Sequence, residues 1–216
     1  MPDRYTTPVA GESALVTIDV QVDFTASGAP AEIAGTRECV PAMRRVLDAY
    51  RERGLPIVHI VRLYLRDGSN VDLCRREAIL AGAGIVEPGS DGAELVDEMK
   101  PEASGRLDAA LLLKGGVQTL RKKEWAIYKP RWDAFHRTPL EAHLRSHGVR
   151  TVSVIGCNFP NCPRATIYGA TMRDFRVAVF TDAISGIYER GLQELNNIGV
   201  VAMQSEDCAH WLEAVG

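Results

Sequence analysis

The chain of 216 residues has no block of charge of either sign: its 25 basic and 28 acidic residues are interspersed, for a formal net charge of -3. That excludes the electrostatic footprint of a nucleic-acid or anionic-membrane binder, so neither partner is expected. Residues 1–11 hold no cationic stretch followed by an apolar one. The longest apolar runs elsewhere fall far short of the roughly 18 residues that a membrane span needs. A soluble, cytoplasmic protein is the expectation. Five cysteines, Cys39, Cys74, Cys157, Cys162 and Cys208, lack short paired spacings, which argues against a disulfide framework and a thiolate metal site. No metal and no cofactor are expected. There is no internal repeat, low-complexity tract or linker, and with 46% hydrophobic and 25% charged residues the chain reads as a single domain over 1–216.

What is present is an alternation of two patterns. Short apolar runs at 14–20, 57–63, 125–128, 151–155, 177–180 and, more weakly, 200–203 have the continuous hydrophobicity of strands buried on both faces. Between them lie amphipathic stretches at 40–53, 139–147, 162–173 and 189–197, with a last helix after Ser205, a candidate N-cap. Such an alternation predicts an α/β fold: one doubly wound domain with a six-stranded, mostly parallel sheet and helices on both faces. Residues 62–116 are rich in glycine and proline and poor in sheet pattern. A segment of that length predicts a cover over a site.

In open parallel sheets ligands bind beyond the carboxyl ends of the strands. Asp19, Lys129 and Cys162 each fall at such a position. Cys162 follows the turn Gly156-Cys157-Asn158-Phe159-Pro160-Asn161 and opens a helix, where the dipole and free N–H donors favour a thiolate and stabilise an oxyanion. Asp19 is placed to take the thiol proton and deliver it to a leaving amine, and Lys129 to hold both groups charged. Position alone leaves the ordinary readings open: a buried core thiol, a helix-capping carboxylate and a surface lysine.

Four motifs in order add to these positions. Ile18-Asp19-Val20-Gln21-Val22-Asp23-Phe24, Lys129-Pro130-Arg131-Trp132-Asp133-Ala134-Phe135, Gly156 with Cys162 six residues later, and Thr181-Asp182-Ala183 together resemble the isochorismatase-like cysteine hydrolases. That family includes nicotinamidases, carbamoylsarcosine amidohydrolase and biuret-type hydrolases. The resemblance implies a catalytic triad of Asp19, Lys129 and Cys162, with an oxyanion hole from the N–H groups of Asn158 and Cys162. It also implies a non-proline cis peptide at Cys157-Asn158, a pocket lined by Phe24, Trp132, Phe135, Phe159 and Asn161, and a homo-oligomer, dimer or tetramer. Arg66, Asn70 and His136 are further candidates for the pocket, and Arg62, Arg66, Arg75 and Arg76 for a substrate carboxylate.

The chain also departs from its relatives. Nicotinamidases carry an Asp and His metal cluster after the second strand, whereas Arg62-Leu63-Tyr64-Leu65-Arg66-Asp67-Gly68 has no histidine. His59 reads as a core residue, and His143 with His147 as a solvated helical face. The expected function is metal-independent hydrolysis of a carbon–nitrogen bond in a small ureido or carbamoyl amide through a thioester. Nicotinamide, a maleamate or a lactam is the alternative substrate. A non-catalytic binding protein, or a thiol redox protein using Cys157 and Cys162, is the alternative from another class.

Overall fold

The computed structural model describes residues 3–102 and 105–213. The apolar runs become β1 (Ser13–Ile18), β2 (Ile57–Val61), β4 (Glu124–Tyr128), β5 (Thr151–Gly156), β6 (Arg176–Ile184) and β7 (Val201–Met203), joined by β3 (Val117–Arg121). The sheet order is β3-β4-β2-β1-β5-β6-β7, parallel throughout except for the antiparallel pair β3/β4. From β1 the chain winds outward through β2 to β4 and β3, then returns to lay β5 against the other side of β1. The switch point of the sheet is therefore the β1/β5 seam, where a doubly wound fold opens a crevice at the strand ends.

Eight helices flank the sheet among the described residues: α1 (Val22–Thr25), α2 (Thr36–Arg53), α3 (Leu73–Leu80), α4 (Ala109–Leu113), α5 (Leu140–Ser146), α6 (Cys162–Thr171), α7 (Glu189–Asn196) and α8 (Cys208–Glu213). The period-2 geometry of β1 sorts its side chains into two cores. Leu15 packs with Met43, Leu47 and Leu212 from α2 and α8. Ala14, Val16 and Ile18 pack with Leu144, Ile167 and Leu195 from α5, α6 and α7. In α2 the buried Val40, Met43, Val46, Leu47 and Tyr50 repeat at helical spacing, each large one contributing about 1.5–3 kcal/mol by burial. Gly54 at φ 60 ends the helix and returns its N–H to the Tyr50 and Arg51 carbonyls. No helix among the described residues is long and apolar enough to cross a membrane.

The structure corrects the sequence reading in three places. The sheet has seven strands rather than six, because Val117–Arg121 adds an edge hairpin to β4. Its half-exposed Val-Gln-Thr-Leu-Arg lacks a buried run, and its tight turn uses Lys123 at φ 63 where glycine or asparagine would signal a hairpin. Helix α2 begins four residues earlier than periodicity suggested. Ser205 sits within a 3-10 turn, Ser205–Asp207, and gives its hydroxyl to Asp182 (2.5 Å) rather than capping α8. His59 is a core residue as expected: Thr17 Oγ1 lies 2.9 Å from its Nδ1 and Glu124 Oε1 2.8 Å from its Nε2.

Candidate active site

Asp19 is the first residue past β1, turned out of the strand at φ 54 with its N–H still bonded to the Ile60 carbonyl (2.9 Å). Lys129 is the first residue past β4, anchored by its N–H to the Val61 carbonyl (3.0 Å), and Pro130 ends the strand there. Across the intervening β2 the two side chains meet, with Lys129 Nζ donating to Asp19 Oδ2 at 2.7 Å. Both are buried, at 0% and 4% side-chain exposure, so neither charge is tolerable without the other. Asp19 Oδ1 is buried too and has no hydrogen-bond partner. It is the open acceptor of the site.

The turn from β5 to α6 supplies the thiol. Gly156 pairs with Ile18 across the switch-point seam at φ 124, and a Cβ there would stand 2.2 Å from the Ile18 carbonyl oxygen. Only glycine allows this approach. The following peptide, Cys157-Asn158, is cis. Cys157 is buried, its Sγ 3.1 Å from the Asp19 carbonyl oxygen, and burial pushes its thiol well up. Past the turn, Asn161, Arg164 and Ala165 donate their N–H groups to carbonyls within it. The N–H groups of Asn158 and Cys162 are given no acceptor among the described residues. Cys162 thus opens α6 beside two unoccupied donors.

Cys162, Asp19, Asn158 and Asn161 line a cavity of about 80 Å³ together with Phe24, Trp132 and Cys157. Larger hollows exist elsewhere, one of about 520 Å³ around Arg145 and Arg176 and one of about 700 Å³ lined by Cys74, Asp133 and His136, but neither contains Asp19 or Cys162. The state of the thiol differs from the helix-start argument. Burial and the neighbouring Asp19 carboxylate push the Cys162 thiol up, and Lys129 and Arg62 only partly oppose them. The resting site holds a thiol beside a carboxylate.

The remaining wall comes from the 62–116 segment, through Arg62, Tyr64, Cys74 and Arg75. Two residues of the opening motif fasten that segment. Gln21 Nε2 donates to the Arg62 (2.8 Å) and Ala93 (2.6 Å) carbonyls while its Oε1 accepts the Arg62 N–H (2.7 Å). Asp23 Oδ2 accepts the Val86 N–H (2.6 Å), and its carboxylate fills the space where a Cβ on Gly92 would stand. Sequence reasoning offered Arg62 with three other arginines for a substrate carboxylate; it lines the cavity and is 2% exposed. The signal for its burial lies ten residues on, in Asp72, whose Oδ2 is 3.0 Å from Arg62 Nη1.

Several candidates stand elsewhere. Phe135 (5% exposed) and Phe159 (0%) belong to the core behind the site, Phe159 edge-on to Tyr188 and too close to Gly191 for any side chain there. Neither lines the cavity, because the strand-end turns point them back into the sheet's packing. Asn70 is spent on the Leu63 carbonyl and the Tyr128 hydroxyl, and Arg66 on Glu87 in solvent. His136 lines a wider hollow reached past Trp132 and Cys74. His143 and His147 lie on an exposed helical face, His147 exposed and His143 partly buried, with both rings packed against Trp125 at 4.5 and 4.6 Å. Asp182 ties the start of the last helix through the Ser205 N–H (2.8 Å). Among the described residues no cluster of three or more His, Cys, Asp or Glu side chains is set to hold a metal.

Fold and site together define a class: a doubly wound α/β protein whose switch-point crevice gathers a thiol, an unsatisfied carboxylate oxygen and a buried lysine. The chain belongs to the isochorismatase family, whose Isochorismatase domain matches residues 13–108 and 112–207. A probable inactive nicotinamidase of Arabidopsis thaliana is 32% identical over 194 residues, 87% of this chain and 90% of that protein. The N-carbamoylsarcosine amidase of an Arthrobacter species is 24% identical over 208 residues, 94% of this chain and 72% of that protein. Among solved structures, an isochorismatase family protein from Desulfovibrio vulgaris superposes with a TM-score of 0.78 at 30% identity, covering 94% of this chain and 98% of that one.

Proposed function

We propose that this protein is a cysteine amidohydrolase that cleaves the carbon–nitrogen bond of a small ureido or carbamoyl amide, with Cys162 as nucleophile, Asp19 as proton carrier and Lys129 as the charge that keeps Asp19 ionised. The observation that carries the reading is the buried, unpartnered Asp19 Oδ1 in the same small cavity as the Cys162 thiol. In the first step Asp19 Oδ1 takes the thiol proton as sulfur attacks the amide carbon. The resulting oxyanion accepts hydrogen bonds from the Asn158 and Cys162 N–H groups, each worth about 3 kcal/mol in such a role. Asp19 then gives its proton to the departing nitrogen, the C–N bond breaks and ammonia leaves. Water, deprotonated by Asp19, attacks the acyl-sulfur bond, releases the acid and leaves the proton to return to sulfur.

A raised thiol suits this sequence, because proton transfer and attack are then coupled and no free thiolate is exposed between turnovers. Phe24, Trp132 and Asn161 are the pocket contacts of the reading. The small volume favours a compact substrate over a ring with substituents. The relative described as a probable inactive nicotinamidase favours a second reading, a binding protein on this fold. Against it, this chain has the Cys162 thiol in one cavity with the Asp19 carboxylate, to which Lys129 is bonded. A homo-oligomer in the cytoplasm accompanies the proposal, checked by light scattering and fractionation.

The experiment is ammonia release from a panel of primary amides and ureas by the wild type and Cys162→Ala. Release by the wild type, abolished in the variant, supports the reading; equal release by both refutes it.

A further inference from the structure

At the opposite end of the sheet from the catalytic crevice, the amino ends of β5 and β6 frame a second cavity, of about 520 Å³. The Arg176 N–H donates to the Arg150 carbonyl (2.9 Å), which sets these two arginines on neighbouring strand starts, and Arg145 reaches the same cavity from α5. The wall facing them is a turn in which the Thr6 and Thr7 N–H groups both bond the Asp3 carbonyl. It packs so closely on Gly199 that a Cβ there would stand 2.4 Å from Thr6. Backbone packing thus shapes the hollow.

Three cations meet there with little to neutralise them. Glu12 serves two at the limit of an ion pair, 3.9 Å from Arg150 Nε and 4.0 Å from Arg176 Nη1, and accepts a hydrogen bond from neither. Asp174, the carboxylate that lines the cavity, is exposed and pairs with no arginine within 4.0 Å among the described residues. Arg145 has no carboxylate partner among them either: its guanidinium is held 3.7 Å over the Phe175 ring and donates to the Arg173 carbonyl. The Nε of Arg176 is buried without any hydrogen-bond partner, and its Nη2 reaches only the Arg4 carbonyl, at 3.5 Å. A buried donor without an acceptor is costly, and guanidinium forks match the oxygens of oxyanions two at a time.

We infer that this cavity is a binding site for a phosphomonoester, whose phosphate takes the free donors of Arg145, Arg150 and Arg176 and whose organic part lies against Tyr5 and Ile198. A carboxylate engages one guanidinium fork, whereas a phosphate offers three strong acceptor oxygens and a charge of about -1.5 to -2, which suits three arginines under-matched by Glu12. The volume favours an ester over free phosphate: it falls within the roughly 300–1,000 Å³ of pockets for small organic ligands, and phosphate alone would leave most of it empty. The site shares no lining residue with the catalytic cavity. Strand β5 sets the two about 17 Å apart, at about 3.3 Å per residue from Thr151 to Gly156. The inference is therefore independent of the amide-hydrolase reading.

The test is calorimetry on the intact protein with glycerol phosphate, a hexose phosphate and a nucleoside monophosphate, each beside its dephosphorylated counterpart, and with inorganic phosphate. At least one ester is expected to bind with a Kd below about 1 mM, about tenfold or more tightly than both its counterpart and inorganic phosphate. Arg145→Gln and Arg150→Gln, both at exposed positions, each weaken that ester about tenfold. Arg190→Gln removes the same charge from an exposed position on α7 outside the cavity and leaves the ester's affinity unchanged. An ester that binds no more tightly than its counterpart throughout the panel, or a loss in Arg190→Gln equal to that in the cavity variants, overturns the inference. Inorganic phosphate bound as tightly as the best ester overturns the assignment to an ester.

Discussion

Replacing Lys129 by methionine keeps the length of the side chain and removes only its charge, leaving Asp19 buried without its cation. In the wild type Nζ and Oδ2 are 2.7 Å apart, and at an effective dielectric of about 20 that attraction is worth about 6 kcal/mol before the desolvation of both groups is subtracted. Breaking one side of such a pair costs roughly 3–5 kcal/mol, a large part of the roughly 5–15 kcal/mol that holds a domain folded. In urea denaturation followed by circular dichroism, with a slope of about 2 kcal/mol/M, the midpoint of Lys129→Met falls by roughly 1.5–2.5 M. The double variant Asp19→Asn/Lys129→Met buries no lone charge and loses less than the single one. A midpoint for Lys129→Met that corresponds to a loss of less than ~1 kcal/mol, or a double variant as unstable as the sum of the two single ones, would refute the claim that the pair is buried and mutually dependent.

Glu124 gives a second, independent handle. Burial raises its carboxyl, but hydrogen bonds from His59 and Arg51 outweigh burial and hold it down at about 2. Its folded value lies below its ordinary one, so its contribution is complete above about pH 4.5 and is lost as the pH falls toward 2. With allowance for solvent screening that amounts to about 2–3 kcal/mol. Glu124→Gln should be less stable at pH 7 and show a flatter acid limb in thermal melts. For Cys162 the raised thiol predicts alkylation by iodoacetamide with a midpoint above the usual thiol value of about 8.5, read by peptide mass spectrometry. A midpoint below it would contradict the resting thiol. Gly156→Ala forces a methyl group against the Ile18 carbonyl at a positive φ, and a loss of at least about 3 kcal/mol or failure to fold is expected in the same urea assay.

The central strands were legible because a parallel strand covered on both faces must be apolar at every position, as 14–18 and 57–61 are except at Thr17 and His59. Those two polar residues are adjacent across β1 and β2 and satisfy each other. The edge strand Val117–Arg121 was illegible for the opposite reason: exposed on one side, its composition is that of a loop. The convergence of Asp19, Lys129 and Cys162 follows from the first two lying one residue, and the third one six-residue turn, beyond a strand's carboxyl end, positions that sequence order predicts for a doubly wound sheet. The walls do not follow that way. Phe24 and Phe159 both flank motif residues, yet one faces the cavity and the other the core, because an aromatic beside a motif looks the same in either place. The burial of Arg62 was not legible, since it depends on partners supplied by a later segment. The thiol's direction was misjudged by weighing the helix start without the Asp19 charge that the fold sets beside it.

The most direct measurement is to quench the wild-type protein during incubation with the best of a panel of ureido compounds and to map the covalent mass added, alongside ammonia release by Cys162→Ala. The account predicts an acyl increment, substrate less ammonia, on the peptide bearing Cys162, and no ammonia from the variant. Ammonia release by Cys162→Ala at the wild-type rate would contradict it.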